Sequence, residues 1–223
     1  MSQHIGIVMI GTSPRPDIIS EVRNYITEDV EINQVGALDG FYKKDLEFTE
    51  IKKQEELVTR LQDGSEIHVP KSFILPKMQQ KVDKLNETSV DLITLLCSGS
   101  FPKLKSDLPL VYPHKLIYGT LESIGIKRNI GIIVPSASQI DSMKKDFEDH
   151  GFSTVCTSAS PYSDEDNQLE IAARDLCRKE VDLILLNCFG YSLEMKRLVS
   201  EACGVPVILV RSLLGRTLGE LSS

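Results

Sequence analysis

Val181-Asp182-Leu183-Ile184-Leu185-Leu186-Asn187-Cys188-Phe189-Gly190 has a counterpart earlier in the chain, Val90-Asp91-Leu92-Ile93-Thr94-Leu95-Leu96-Cys97-Ser98-Gly99. Each is an apolar run without period-two alternation, the pattern of a parallel strand covered on both faces. Each ends in a cysteine, with glycine two residues further on. Working outward, Ile5-Gly6-Ile7-Val8 resembles Ile130-Gly131-Ile132-Ile133, and Leu108-Pro109-Leu110-Val111 resembles Val205-Pro206-Val207-Ile208. The three pairs of blocks occur in the same order, which marks a duplicated architecture. The stretch from the first block to its cysteine is longer in the amino-terminal half, so an insertion is placed at about residues 40–75.

Helical faces fit between the runs. Ile18, Val22, Tyr25 and Ile26 share one face, as do Met78, Val82 and Leu85; Ile140, Met143 and Phe147; and Leu169, Ala172, Ala173 and Leu176. Alternating strands and helices predict right-handed βαβ units. The expected fold is α/β, with two pseudo-symmetric lobes that are each a parallel sheet flanked by helices, and an active-site cleft between them. Residues 1–112 form the first lobe and 113–208 the second, with 209–223 packing back on the first. Within the insertion, Ile67–Ile74 after Asp63-Gly64 reads as part of a strand hairpin. The charged segment Lys43–Glu56 reads as a solvated helix face or, alternatively, a lid.

Composition narrows the function. The chain has 223 residues, a net charge of −7 and five cysteines. Nucleic-acid and acidic-membrane binders need clustered Lys/Arg to displace counterions, so both are disfavoured. Met1–Pro14 lacks the basic and apolar regions of a signal peptide, and no apolar run approaches the roughly 18 residues of a membrane span. A cytoplasmic protein with reduced thiols is the expectation. Metal and nucleotide readings find no support in ligand spacing, a Walker loop or GxGxxG. His114 is the one histidine placed near the cleft, with a packing or surface role as the simpler reading.

In open parallel sheets, ligands bind beyond the carboxyl ends of the strands, and Cys97 and Cys188 both stand there. The loops Cys97-Ser98-Gly99-Ser100 and Cys188-Phe189-Gly190-Tyr191 offer backbone amides for an anion at a helix amino terminus, and the same field lowers a thiol pKa. Equivalent cysteines of two lobes would flank a single carbon. That arrangement suits removal of a proton next to a carboxylate by one thiolate and its return by the opposite thiol. Thr12, Ser13 and Arg15, after the first strand, are candidate carboxylate ligands, with capping of the next helix by Ser13 or Asp17 as the alternative. Ser136 occupies the matching place in the second lobe, where a cap is the simpler role. Cys156, Cys177 and Cys203 lack the glycine-containing loop and read as core residues.

With one cysteine per lobe, the chain resembles the aspartate/glutamate/hydantoin racemase superfamily. Ile10-Gly11-Thr12-Ser13-Pro14-Arg15-Pro16-Asp17, Leu96-Cys97-Ser98-Gly99 and Asn187-Cys188-Phe189-Gly190 are similar to the AroM family within it. The resemblance covers nearly the whole chain. It implies a cofactor-independent fold used to racemise, isomerise or decarboxylate small carboxylates, with the paired cysteines as acid and base. AroM proteins lack an established activity and are linked by regulation to aromatic amino-acid biosynthesis. A non-catalytic carboxylate-binding or regulatory role, and a homodimer, are therefore also open. Glutamate racemases carry Asp-Ser and Thr-His pairs where this chain has Thr12-Ser13 and Phe189-Gly190, which points to a substrate without an amine.

Overall fold

The computed structural model describes residues 3–52, 55–163 and 167–222. Two units partition the chain, residues 1–114 with 215–223, and residues 115–214. The first contains β1 (His4–Met9), α1 (Pro16–Arg23), β2 (Glu31–Gly36), β3 (Glu56–Arg60), β4 (Glu66–Pro70), α2 (Lys71–Asn86), β5 (Leu92–Leu96) and β6 (Leu110–Val111). After α3 (Pro113–Ser123), the second contains β7 (Asn129–Val134), α4 (Ile140–Asp149), β8 (Thr154–Ser158), α5 (Gln168–Cys177), β9 (Val181–Leu186), α6 (Leu193–Cys203) and β10 (Val207–Leu209). Helix α7 (Val210–Leu221) begins in the second unit and its last turns group with the first.

The main sheets have the strand orders β2-β1-β5-β6 and β8-β7-β9-β10, with every pair parallel. Each repeated sequence block therefore occupies the same sheet position in its own unit. The shared Ile-Gly-Ile block has a packing reason. A Cβ at Gly6 would stand 2.8 Å from Leu85 of α2, and one at Gly131 would stand 3.1 Å from Leu176 of α5. In each unit the missing side chain lets the helix preceding the cysteine strand lie directly on the first strand.

The proposed apolar faces are buried most fully in α2 and α5, whereas α4 buries only Phe147 of its proposed face and α1 ends at Arg23, before Tyr25 and Ile26. In α2 the buried residues are Met78, Val82 and Leu85 with Ile74, and in α5 they are Ala172, Ala173 and Leu176. At about 1.5–3 kcal/mol for each large side chain removed from water, these faces hold the helices on their sheets far more strongly than intrinsic propensity does.

Three expectations are corrected. The hairpin is real, β3 pairing antiparallel with β4 through a turn with Gly64 at φ 86°, but its second strand stops at Pro70. Lys71-Ser72-Phe73-Ile74 instead opens α2, where Ile74 supplies the first buried position of the helical face. The charged segment Lys43–Glu56 shows no α-helix among its described residues: a 3₁₀ turn spans Lys43–Asp45, Glu55 is also in 3₁₀ conformation, and β3 begins at Glu56. Residues 53 and 54 lie outside the described residues. Buried Leu46 and half-buried Phe48, whose ring meets Phe73 edge-on at 5.2 Å, fasten this part of the segment irregularly, and their two-residue spacing fits no helical face. Finally, Cys177 and Cys203 are joined as a disulfide rather than standing as reduced core thiols. They end neighbouring helices α5 and α6 with Cα atoms 5.5 Å apart, a juxtaposition that 26 residues of separation conceal.

Candidate functional site

In the first unit, Met9 pairs with Leu96, so the loops that begin at Ile10 and Cys97 leave the sheet side by side at its carboxyl end. Cys97 is 9% exposed, and Ser98, Gly99 and Ser100 are half-buried. The inserted hairpin borders the same end. The Thr12 amide donates to the Arg60 carbonyl at 3.4 Å, and Leu57 lies 3.6 Å from where a Gly99 Cβ would stand.

Ser13 and Arg15 are engaged within their own loop. Asp39 accepts from the Ser13 amide at 2.7 Å, the Ser13 hydroxyl at 2.8 Å and the Gly36 amide at 2.7 Å. Arg15 is 8% exposed and grips Asp17 bidentately at 2.9 and 2.7 Å, while its amide donates to Gln34 at 3.0 Å. Ser13 therefore does not cap α1, which starts on Pro16 with Asp17 in its first turn. Thr12 is buried. Asp39, which sequence reading passed over, organises the loop. Asp39→Ala leaves three donors without their acceptor and should cost about 1–3 kcal/mol in urea unfolding, whereas an unchanged midpoint would show that Asp39 is dispensable to the loop.

The second unit repeats the arrangement. Ile133 pairs with Leu186, and the Asn187 amide donates to the Ile133 carbonyl at 3.1 Å, which brings the loops after β7 and β9 together. Ser136 accepts from the Ser138 amide at 3.4 Å and meets the Ser138 hydroxyl at 2.6 Å, capping a 3₁₀ turn. Cys188 is 9% exposed. The Gly190 amide donates to Cys188 Sγ at 3.4 Å, and the Tyr191 amide to the Cys188 carbonyl at 3.3 Å. Phe189 is buried, and Tyr191 is fully buried with its hydroxyl donating to Ala159 at 2.6 Å. Burial above all, then the neighbouring Cys188 and Tyr162, raise the Tyr191 phenol well above its ordinary value, so it stays protonated.

The two cysteine loops lead into different structures. Ser192 caps α6 by accepting from the Met195 amide at 3.2 Å, so Cys188 stands just before the amino terminus of an 11-residue helix. Cys97 opens onto irregular chain that runs up to β6. In chain order, a helix follows the Cys188 loop directly, whereas no helix follows Cys97 before β6.

The remaining candidates lie elsewhere in chemistry or place. Burial pushes the Cys156 thiol up to about 11, which keeps it protonated. His114 is buried, its ring edge-on to Tyr112 at 5.5 Å. A surface hollow of about 350 Å³ in the second unit, lined by Ile126, Asp182 and Pro206 among others, opens at the amino ends of the strands, away from the Cys188 loop. Among the described residues, no group of three or more His, Cys, Asp and Glu side chains could hold a metal, and no helix is long and apolar enough to cross a membrane.

The fold of duplicated parallel sheets is shared with racemases and a decarboxylase. A liganded mutant of arylmalonate decarboxylase is similar at TM-score 0.65 and 13% identity, covering 99% of this chain and 92% of that one. Allantoin racemase from Pseudomonas fluorescens gives 0.60 and 14%, covering 98% and 90%. Glutamate racemase from Aquifex pyrophilus gives 0.58 and 16%, covering 99% and 84%. The chain belongs to the AroM protein family, whose model matches residues 5–222. No curated protein matches it in sequence.

Proposed function

We propose that the protein is a cofactor-independent enzyme of the racemase and isomerase type, acting on a small carboxylate through Cys97 and Cys188 as acid and base. One observation carries the reading: the two cysteines close topologically equivalent strands, β5 and β9, in units of identical strand order. Cys188 is the thiolate in the resting state. The Gly190 amide at its sulfur and the amino terminus of α6 both favour negative charge there. It removes the proton from the carbon next to the carboxylate, leaving an enediolate-like anion, and Cys97 delivers a proton to that carbon. Amides and hydroxyls of Ser98-Gly99-Ser100 and the Phe189-Gly190 loop take up the developing charge. Ser13 and Arg15 shape the β1 loop through Asp39 and Asp17, and Thr12 and Ser136 complete the loop ends of their sheets. The protein acts without a nucleic-acid or membrane partner.

Proton exchange tests the reading. A panel of small 2-substituted carboxylates lacking an amine, incubated with the protein in D₂O, should include one whose α-proton exchanges with solvent, followed by proton NMR. Binding by calorimetry without any exchange would replace the enzyme with a carboxylate-binding regulator.

A further inference from the structure

Arg211, at the start of α7, is 2% exposed and lies against the loop that carries Cys188. Its Nε and Nη2 donate to the Phe189 carbonyl at 3.0 and 2.6 Å, and Nη2 also reaches the Gly190 carbonyl at 3.2 Å. These carbonyls are the far ends of two peptide groups whose near ends face the cysteine. The Phe189 carbonyl shares its peptide plane with the Gly190 amide, which donates to Cys188 Sγ at 3.4 Å. The Gly190 carbonyl shares its plane with the Tyr191 amide, which donates to the Cys188 carbonyl at 3.3 Å.

We propose that Arg211 is a positioning residue that sets the ionisation of Cys188 through the Phe189–Gly190 peptide. A guanidinium bound to a carbonyl polarises the whole amide, so the N–H at the other end becomes a stronger donor. Here that donor is aimed at sulfur, and only the thiolate rewards the stronger donor fully. The fork also fixes orientation. For the Gly190 amide to face Cys188, the Phe189 carbonyl must point the other way, into a buried environment where an unmet acceptor is costly. Two N–H groups of Arg211 meet it there, and the same side chain holds the next peptide in register. The phenol of Tyr191 interacts with both Cys188 and Tyr162 and remains neutral, whereas Arg211 brings a guanidinium charge to the same loop.

The inference rests on Cys188 as an acid/base thiol, but its test needs no substrate. Iodoacetamide alkylation of the full-length protein is monitored against pH, with Cys188 and Cys97 read separately by peptide mass spectrometry. Arg211→Gln should raise the apparent pKa of Cys188 by about one unit and, at pH values below the parent's pKa, slow its alkylation about tenfold. Arg211→Lys keeps the charge but cannot span both carbonyls, and should slow it about threefold. Cys97 should keep its parent profile in both, which reports an intact fold. Should the glutamine variant fail to fold, the lysine variant decides. A folded variant whose Cys188 profile coincides with the parent's overturns the inference, whether or not any carboxylate is ever turned over. A shifted profile in a protein that exchanges no substrate proton upholds it while ending the enzyme reading.

Discussion

Cys188→Ser and Cys97→Ser should each reduce interconversion of substrate enantiomers by about 100- to 10,000-fold, the range that a positioned proton-transfer group contributes. Serine keeps the shape within one heavy atom but not the acidity. A hydroxyl is so much weaker an acid than a thiol, whose ordinary pKa is about 8.5, that no useful fraction ionises near neutral pH. Both cysteines are only 9% exposed and end strands whose packing rests on Leu, Ile and Val, so circular dichroism and urea unfolding should stay close to the parent's.

The two variants should also differ in a telling way. With one acid/base group for each face of the carbon, the surviving thiol can still remove a proton and return a deuteron on its own face. Each serine variant should therefore exchange the α-proton of one enantiomer without inverting it, and the two variants should choose opposite enantiomers. Inversion unaffected by either substitution would remove the thiols from the chemistry.

Much of this arrangement is legible in the sequence because duplication writes it twice. The Ile-Gly-Ile block, the Val-Asp-Leu-Ile run and the cysteine-to-glycine spacing each recur, and the first two recurrences have a packing cause: Leu85 on Gly6 and Leu176 on Gly131, then buried strands paired in the same order. The features that escape a sequence reading occur once or depend on distant partners. Asp39 is one acidic residue among many until Gly36 turns the chain and sets it beside Ser13. Arg211 stands 22 positions from the carbonyl it grips. The Cys177–Cys203 bond joins helix ends that no spacing rule connects. The segment 43–56 reads as a helix by charge alone, yet Leu46 and Phe48 anchor residues 46–48 as irregular chain. Arg15 and Ser13 have the chemistry of carboxylate ligands, and the fold gives both of them acidic partners within the chain.

The repeated glycines after the cysteines look interchangeable in sequence, but their surroundings predict opposite responses to a single methyl group. At Gly99 the nearest heavy atoms to an added Cβ are Cys97 Sγ and Leu57 at 3.6 Å and Phe101 at 3.8 Å, which is ordinary contact. Gly99→Ala should leave the unfolding midpoint within about 0.5 kcal/mol of the parent's. At Gly190 the added atom would stand 2.6 Å from Pro161 and 2.7 Å from the Tyr162 ring. The proline ring is rigid, so relief must come from Tyr162 or from the Cys188 loop itself. Gly190→Ala should cost about 1–3 kcal/mol, as overpacking of a filled site does. If the loop yields, the Gly190 amide leaves the sulfur and Cys188 alkylation near neutral pH slows with it; if Tyr162 yields, stability falls while the thiol keeps its reactivity. Equal tolerance of alanine at both glycines would contradict the close seat of Tyr162 on the Cys188 loop and, with it, the difference in packing between the two cysteine loops.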